Sequence, residues 1–308
     1  PARQHAFPPH YWNNWQKKKP LLIAEYGDWE YYAQNAGFNQ TEFSGLLPSM
    51  RSSRQLRSAG ELGLLQQAYN YQESHNHNLY GPAIGDANWL IFDYNRGYSA
   101  DIESSGIMDI FRIPKFAYWF YKSQSDDEPV CFIASYNTVS SAGYIRVFSN
   151  GDSISLFRNS IQLATLLPDS NINTGNLAHP PFTFFHDEYE PGFLKAEAWK
   201  DGKVFCSDSI GTAGKPSKLT LIADFSGKNL QAGGEDVIFI YASILDDKGN
   251  VCNDSHSEVA FTIEGEGSLT GKNPLPAEAG IATILLKSAE KAGLITIRAE
   301  SAGCEPAF

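Results

Sequence analysis

The pattern of apolar and polar residues changes along this chain near residue 125. Before that point, two short apolar runs end in a carboxylate: residues 21–24 lead into Glu25, and residues 87–92 lead into Asp93. Continuous apolar runs of this length are typical of strands buried on both faces of a parallel sheet. We therefore predict two parallel strands that each carry an acidic side chain at the carboxyl end.

Two further segments of this first region have the pattern of helices. Residues 58–74 place apolar side chains at near-helical spacing with few breakers, which predicts the crossover helix between the two strands. Residues 114–122 begin with Pro114, which suits a first helical turn, and continue with mostly aromatic side chains. Residues 1–124 are therefore predicted to be part of an α/β domain.

After residue 124 the pattern is that of β-sandwiches. The acidic stretch 125–129 is typical of a linker, and short alternating segments follow it, divided by Gly, Asn, Asp and Pro. The segments on either side of the turn at 149–152 predict one hairpin. Residues 193–199, followed by Asp201 and Gly202, predict a second hairpin.

The last part of the chain repeats this arrangement. Its predicted strands are residues 237–245, 259–263, 281–286 and 294–299. We predict two tandem Ig-like β-sandwich domains, over residues 125–217 and 218–308.

Composition and charge narrow the class of partner. The 308 residues include 24 Lys and Arg against 35 Asp and Glu, a formal net charge of -11, which argues against a nucleic-acid partner. Aromatic residues make up 13% of the chain, as suits a neutral sugar ligand or simply large cores. No segment approaches the roughly 20 apolar residues needed to span a bilayer.

No metal site is expected from the sequence. Cys131, Cys206, Cys252 and Cys304 are widely spaced, and no C-x-x-C pair or cluster of histidines accompanies them. Buried free thiols are the default interpretation, and one disulfide within each sandwich is the alternative. His75 and His77 do not face one way on a helix, so solvent or substrate contacts are expected of them rather than metal binding.

Glu25 has the position of a catalytic carboxylate. Retaining glycoside hydrolases use two carboxyl groups about 5–5.5 Å apart, one to attack carbon and one to protonate the leaving oxygen. Barrel enzymes place such groups at the carboxyl ends of parallel strands. On spacing alone, however, a salt-bridged or capping glutamate is the simpler interpretation.

Longer segments of the sequence resemble segments of a known protein family. LLIAEYGDWEYY at 21–32 and GDANWLIFDYNRGY at 85–98 resemble the last two strands of the catalytic barrel in family 2 glycoside hydrolases, which include β-galactosidases and β-glucuronidases. The later words YIRVFSNGDSISLFRNS and FTIEGEGSLTG resemble the sandwich and Ig-like domains appended to that barrel. The resemblance runs from about residue 20 to residue 303.

The resemblance implies a fold and an activity. The fold is the C-terminal portion of a (β/α)8 TIM barrel followed by two Ig-like β-sandwiches. The activity is that of a bacterial retaining exo-glycosidase without cofactor, which releases terminal β-linked sugars. β-Galactosides are favoured, with β-glucuronides and β-mannosides as alternatives. A periplasmic or secreted location and a possible homo-oligomer are also expected.

The resemblance also assigns roles to particular residues. It implies that Glu25 is the nucleophile and that Trp89 lines the subsite of the cleaved sugar. Asp93, Asn95 and Arg96 follow the last strand and are candidates to bind sugar hydroxyls, because loops at that face of a barrel bind ligand. An Asp–Arg pair that only orders the loop is an equally good interpretation.

One part of the family pattern is missing. The acid/base glutamate of the family lies in an Asn-Glu dipeptide, and that dipeptide does not occur in this sequence. Residues 1–124 also have room for about two βα units, whereas a closed barrel has eight strands. We expect the N-terminal remainder of the same enzyme to be a partner and the isolated chain to be inactive. A non-catalytic carbohydrate-binding or scaffolding role is the alternative.

Overall fold

The computed structural model describes residues 2–3, 18–26, 53–186 and 189–308. Residues 27–32, the second half of the first sequence segment that resembles family 2, lie outside the described residues. The chain divides into two compact units, Pro1–Gly211 and Thr212–Phe308. No helix in the described ranges is long and apolar enough to cross a membrane.

Before residue 125, the described residues form short strands and two helices. In chain order the described elements are β1 (Ala2–Arg3), β2 (Ile23–Tyr26), a 3-10 turn (Arg57–Ala59), α1 (Gly60–Tyr80), β3 (Asp86–Asn88), β4 (Tyr94–Asn95), β5 (Ile102–Glu103) and α2 (Phe116–Lys122). Strands β1, β2 and β3 form a parallel sheet in that order, and β4 pairs with β5 as a small antiparallel ribbon. The parallel pairing of the two predicted strands is therefore confirmed.

Strand β3 is shorter than the strand predicted at 87–92. Its pairing with β2 ends at Asn88, although the apolar run continues to Phe92. The carbonyls of Leu90 and Ile91 instead accept hydrogen bonds from the amides of Ile107 and Met108, at 3.0 and 2.9 Å. The start of this segment thus pairs with β2, and its apolar end pairs with the segment at 107–108. The apolar pattern alone does not show this change of partner.

Helix α1 extends six residues beyond the predicted end because its polar side chains are buried and hydrogen-bonded. The side-chain amide of Gln72 donates to the carbonyl of Asn173 at 3.0 Å, and that of Asn76 donates to the carbonyl of Ile172 at 2.9 Å. Asn173 and Ile172 belong to a loop about 100 positions later in the chain. Neighbours distant in sequence therefore stabilise a helical stretch that has little apolar patterning of its own.

Helix α2 begins two residues later than predicted. The amide of Lys115 donates to the carbonyl of Ile107 at 2.9 Å, and Pro114 forms an isolated bridge with Met108. The segment before the helix is therefore extended and paired, so Pro114 precedes the first helical turn instead of opening it.

The rest of the first unit is a β-sandwich. Its strands are β6 (Cys131–Ala134), β7 (Tyr144–Ser149), β8 (Ser153–Arg158), β9 (Ile161–Leu166), β10 (Phe182–Phe185), β11 (Phe193–Lys200) and β12 (Lys203–Gly211). One sheet has the order β10-β7-β6, and the other has the order β12-β11-β8-β9. Apolar side chains from both sheets form a common core.

One of the two predicted hairpins in this sandwich is wrong. Strands β7 and β8 flank the turn at 149–152 but lie in different sheets, so the turn carries the chain across the core. The alternating residues Ile145 and Val147 on one strand and Ile154 and Leu156 on the other all face that shared core. The second hairpin is confirmed, because β11 pairs with β12 across Asp201 and Gly202.

The α/β region and the first sandwich pack through a shared aromatic core. Trp119 of α2 stacks on Phe132 of β6, with ring centroids 4.7 Å apart, and Phe120 meets Phe148 edge-on at 6.0 Å. Burial of these large rings contributes a substantial part of the stability of this unit.

Glu61 adds a polar contact between the same two regions. Its buried carboxylate accepts hydrogen bonds from the amides of Tyr136 and Ala142 and from the hydroxyls of Ser135 and Ser141, at 2.5 to 3.0 Å. A carboxylate with four donors is well compensated for its loss of water. The first turn of α1 therefore carries a fixed attachment point for the loop that follows β6.

The second unit is another β-sandwich. Its strands are β13 (Lys218–Asp224), β14 (Val237–Leu245), β15 (Glu258–Gly265), β16 (Gly267–Thr270), β17 (Leu275–Pro276), β18 (Ile281–Ser288) and β19 (Ile295–Glu300). The sheets have the orders β13-β14-β18-β16 and β17-β15-β19 and enclose one apolar core. All four strands predicted for this part of the chain are present.

Candidate functional site

Glu25 lies at an irregularity in β2. Ala24 pairs with Ala87 and Tyr26 pairs with Asn88, so Glu25 is the extra residue of a bulge. Its φ angle is 58°, in the left-handed region that non-glycine residues seldom adopt. Bulges of this kind redirect a side chain, and strained backbone is concentrated at functional sites. The half-buried Glu25 side chain is therefore oriented by a local break in the strand.

Trp89 lies beside the end of this strand. Its amide donates to the carbonyl of Tyr26 at 3.0 Å, and its own carbonyl accepts from the hydroxyl of Tyr71 at 3.1 Å. Its ring makes an edge contact with Tyr94, with centroids 6.2 Å apart. The chain therefore brings Glu25 and Trp89 to the same end of neighbouring parallel strands, as expected if they share a ligand.

Asp93 occupies a different kind of environment. Its carboxylate accepts from the Lys115 ammonium at 2.8 Å and from the amide of Gly106 at 2.9 Å, and neither of the two charged side chains is exposed. Burial raises the pKa of Asp93 to about 7, although the ammonium opposes this shift. Because the carboxylate is enclosed by protein, these contacts favour a structural role over contact with a sugar.

Asn95 is the last residue of β4, and Arg96 follows it in the segment that connects β4 with β5. The side-chain oxygen of Asn95 accepts from the amide of Gly97 at 2.8 Å, which stabilises the turn. Arg96 forms an ion pair with Glu103 and donates to the hydroxyl of Tyr98 at 2.8 Å. The partner of Arg96 is thus Glu103, and the partner of Asp93 is Lys115, in place of the Asp93–Arg96 pair that was the alternative interpretation.

Two features of the site were not anticipated from the sequence. The sequence pattern places Lys115 in the helix predicted at 114–122, yet it precedes the helix and is the buried partner of Asp93. His75 was expected to meet solvent or substrate, but its Nδ1 lies 2.7 Å from the Asp86 carboxylate. Both partnerships join segments distant in sequence, and no local pattern identifies them. Among the residues described, no group of three or more His, Cys, Asp or Glu is placed to hold a metal.

Two parts of the chain match models of known domain families. Residues 219–308 match a model described as glycoside hydrolase family 2 C-terminal domain 5. Residues 143–206 match a model described as a domain of unknown function, DUF4982. The first match covers nearly all of the second sandwich, and the other lies within the first.

The chain is also similar to curated glycosidases. It is 34% identical over 237 residues to a β-galactosidase of Thermoanaerobacter pseudethanolicus, which covers 70% of this chain and 32% of that protein. It is 30% identical over 202 residues to a β-galactosidase of Bacteroides ovatus, which covers 62% of this chain and 22% of that protein. The chain thus spans a third or less of the length of these relatives.

A solved structure resembles almost the whole chain. A β-glucuronidase from glycoside hydrolase family 2 superposes with a TM-score of 0.67 at 23% identity, over 95% of this chain and 32% of the other. At this level of identity the similarity concerns the fold. It extends over both units of the chain.

Proposed function

The chain belongs to glycoside hydrolase family 2, and from this membership we propose that the protein is a retaining exo-glycosidase that releases terminal β-linked sugars. Glu25 is the nucleophile in this proposal. The observation that carries it is the placement of Glu25 at a strained bulge beside Trp89. The two curated relatives are named β-galactosidases, so β-galactosides are the first substrates to test, followed by β-glucuronides and β-mannosides.

We assign residues 1–124 to the C-terminal portion of the family's (β/α)8 barrel. The parallel pairing of β2 and β3 around the crossover helix α1 supports this assignment. Leu22, Ile84 and Ile91 are 45%, 75% and 55% exposed. Apolar exposure around such a sheet is consistent with burial by further barrel elements, supplied by the N-terminal remainder of the enzyme.

The proposed reaction is a double displacement. A Glu25 oxygen attacks the anomeric carbon, the bond from that carbon to the leaving oxygen breaks, and a second carboxylic acid protonates the leaving oxygen. Water, deprotonated by the same second carboxylate, then attacks the glycosyl ester and restores Glu25. Trp89 packs on the apolar face of the sugar. The second carboxylate comes from another part of the enzyme, since the Asn-Glu dipeptide is missing from this sequence.

The test uses the complete enzyme that contains this segment, with chromogenic β-galactoside, β-glucuronide and β-mannoside substrates. Glu25→Gln is expected to lower kcat by more than about a thousandfold, because the nucleophile is lost. A 2-deoxy-2-fluoro glycoside of the preferred sugar is expected to leave an adduct on Glu25 that peptide mass spectrometry locates. Glu128→Gln is the matched control, since this exposed side chain pairs with Lys122.

Two results would contradict the proposal. One is an adduct on a different carboxylate, and the other is activity of the Glu25→Gln variant near that of the wild type. The 308-residue chain alone is expected to give no turnover, because the second carboxylate is missing from it. Turnover by the isolated chain would refute that assignment, and polysaccharide binding without turnover by the complete enzyme would favour a non-catalytic role.

A further inference from the structure

Tyr26, the residue after Glu25, makes a set of buried polar contacts. Its hydroxyl lies 2.8 Å from the hydroxyl of Tyr121 and 3.5 Å from Nδ1 of His75. Nδ1 of His75 also meets a carboxylate oxygen of Asp86 at 2.7 Å, and Asn78 donates to that oxygen at 3.1 Å. The strand end is thus joined to α1, to α2 and to the start of β3.

The aromatic rings of Tyr26, His75 and Tyr121 also contact one another. The Tyr26 and His75 rings are near parallel, with centroids 6.5 Å apart, and His75 makes an edge contact with Tyr121 at 5.7 Å. Tyr26 is only 1% exposed. Burial, together with Tyr121 and Asp86, raises the pKa of Tyr26, so its phenol stays neutral. A buried hydroxyl with satisfied partners restricts its side chain to one position.

The backbone of Glu25 keeps its conformation only if the residues beside it are held in place. A non-glycine residue at a φ angle of 58° persists only where its neighbours hold it there. On the N-terminal side, Ala24 is paired with Ala87. On the C-terminal side, the Tyr26 carbonyl accepts from the Trp89 amide, and the Tyr26 phenol is fixed by Tyr121.

We propose that Tyr26 is a positioning residue for the nucleophile: its phenol, held by Tyr121 and by the His75–Asp86 pair, fixes the bulge that directs the Glu25 carboxylate at the anomeric carbon. This inference rests on the proposed function. Tyr26 faces the helices and needs no contact with the sugar. Its effect is geometric, because a displacement of about 1 Å in a reacting group is enough to slow a reaction about a hundredfold.

The test compares Tyr26→Phe with the wild type in the complete enzyme. This substitution keeps the ring and removes the hydroxyl alone. We expect kcat to fall by about tenfold to a hundredfold with KM within about twofold, since the ground-state sugar contacts stay in place. The rate of glycosyl-enzyme formation from the 2-fluoro sugar should fall by the same factor. Hydrogen exchange at the Trp89 amide should become faster, because its acceptor is the Tyr26 carbonyl.

Tyr121→Phe and Tyr241→Phe complete the design. Tyr121→Phe removes the partner and leaves Tyr26 intact, so it should reproduce the fall in kcat even if Tyr26→Phe folds poorly. Tyr241→Phe removes a hydroxyl that lies 3.3 Å from Asp224 in the second sandwich and should change neither parameter.

The possible failures are distinguishable. If Glu25→Gln is inactive but both Tyr26→Phe and Tyr121→Phe keep kcat within about twofold of the wild type, the positioning role is wrong and the nucleophile assignment stands. A melting temperature that falls while kcat per folded molecule is unchanged would also overturn the inference, because it would mark Tyr26 as a packing residue. If Glu25→Gln stays active, the proposed function itself fails.

Discussion

The Lys115 ammonium lies 2.8 Å from the Asp93 carboxylate, and neither side chain is exposed. Lys115 also donates to the carbonyls of Gln55 and Ser104, at 2.6 and 2.9 Å, so all three of its donors have partners. The ion pair therefore ties the segment after β3 to the segment that precedes α2. Asp93 lies four positions after Trp89, so the ion pair fixes the chain just beyond this residue of the proposed site.

Lys115→Met is expected to destabilise the first unit. The substitution leaves the Asp93 carboxylate buried without its partner, which costs about 3–5 kcal/mol in the free energy of unfolding. The measurement is urea unfolding followed by tryptophan fluorescence. All six Trp residues precede residue 212, so the signal reports the first unit alone.

The control for this experiment is Lys195→Met. Lys195 pairs with Glu197 at 2.6 Å but is 44% exposed, so its loss should change the unfolding free energy by less than about 1 kcal/mol. Equal losses from Lys115→Met and Lys195→Met would contradict the importance assigned to the buried pair.

The stability of the first unit should depend on pH through Asp93. Its pKa is raised from 3.8 to about 7 in the folded protein, so the folded state binds this proton more tightly between those values. The unfolding free energy therefore falls as pH rises from about 4 to about 7, by at most roughly 1.4 kcal/mol per pH unit, and the contribution is lost above that range. Asp93→Asn should remove this part of the slope. Tryptophan-monitored urea unfolding of both proteins across this range checks it, and parallel slopes would refute it.

Glu61→Gln should loosen the junction between α1 and the first sandwich. A glutamine turns an amide group with its own hydrogens toward the donors of Tyr136 and Ala142, so at least one buried donor loses its partner. The expected loss is about 2 kcal/mol in the unfolding free energy of the first unit. Glu197→Gln, at a part-exposed pair, is the control and should cost less than about 1 kcal/mol. A loss no larger than that of the control would show that the four contacts are replaceable.

All four cysteines should titrate as thiols. Cys131, Cys206, Cys252 and Cys304 are free in the structure, as the default interpretation of their spacing predicts, but only Cys252 is buried and the other three are half-buried. A colorimetric thiol assay on protein denatured without reductant should give four thiols per chain, and native protein should react more slowly at the buried Cys252. A count of two or none would mean that disulfides form.

Strand β14 of the second sandwich was predictable because its buried and less buried side chains alternate. In Val237–Leu245, every second residue is buried, which is the period that marks a strand with one face on a core. The same alternation was misleading at β7 and β8. Two strands that pair as a hairpin and two that face each other across a core present the same period, so sequence alone does not separate the two arrangements.

Only part of the candidate site was predictable. The end of β2 was predictable because an apolar run leads into Glu25, and the resemblance to family 2 implied the role that we propose for this residue. The bulge at Glu25 and the contacts of Tyr26 were not predictable, since they depend on pairing with β3 and on side chains 49 and 95 positions away. The pairing of Asp93 with Lys115 was not predictable for a similar reason, because the two residues lie 22 positions apart.

The attachment of Glu61 to the loop after β6 limits where this chain is divisible. A gene fragment that starts at residue 125 would produce the first sandwich without the acceptor for the loop at 135–142, and the aromatic face that meets Trp119 would be open to water. Such a fragment should express poorly or aggregate, whereas one that starts after Gly211 keeps a complete core. In a chimeric protein, α1, α2 and the first sandwich should therefore be transferred together.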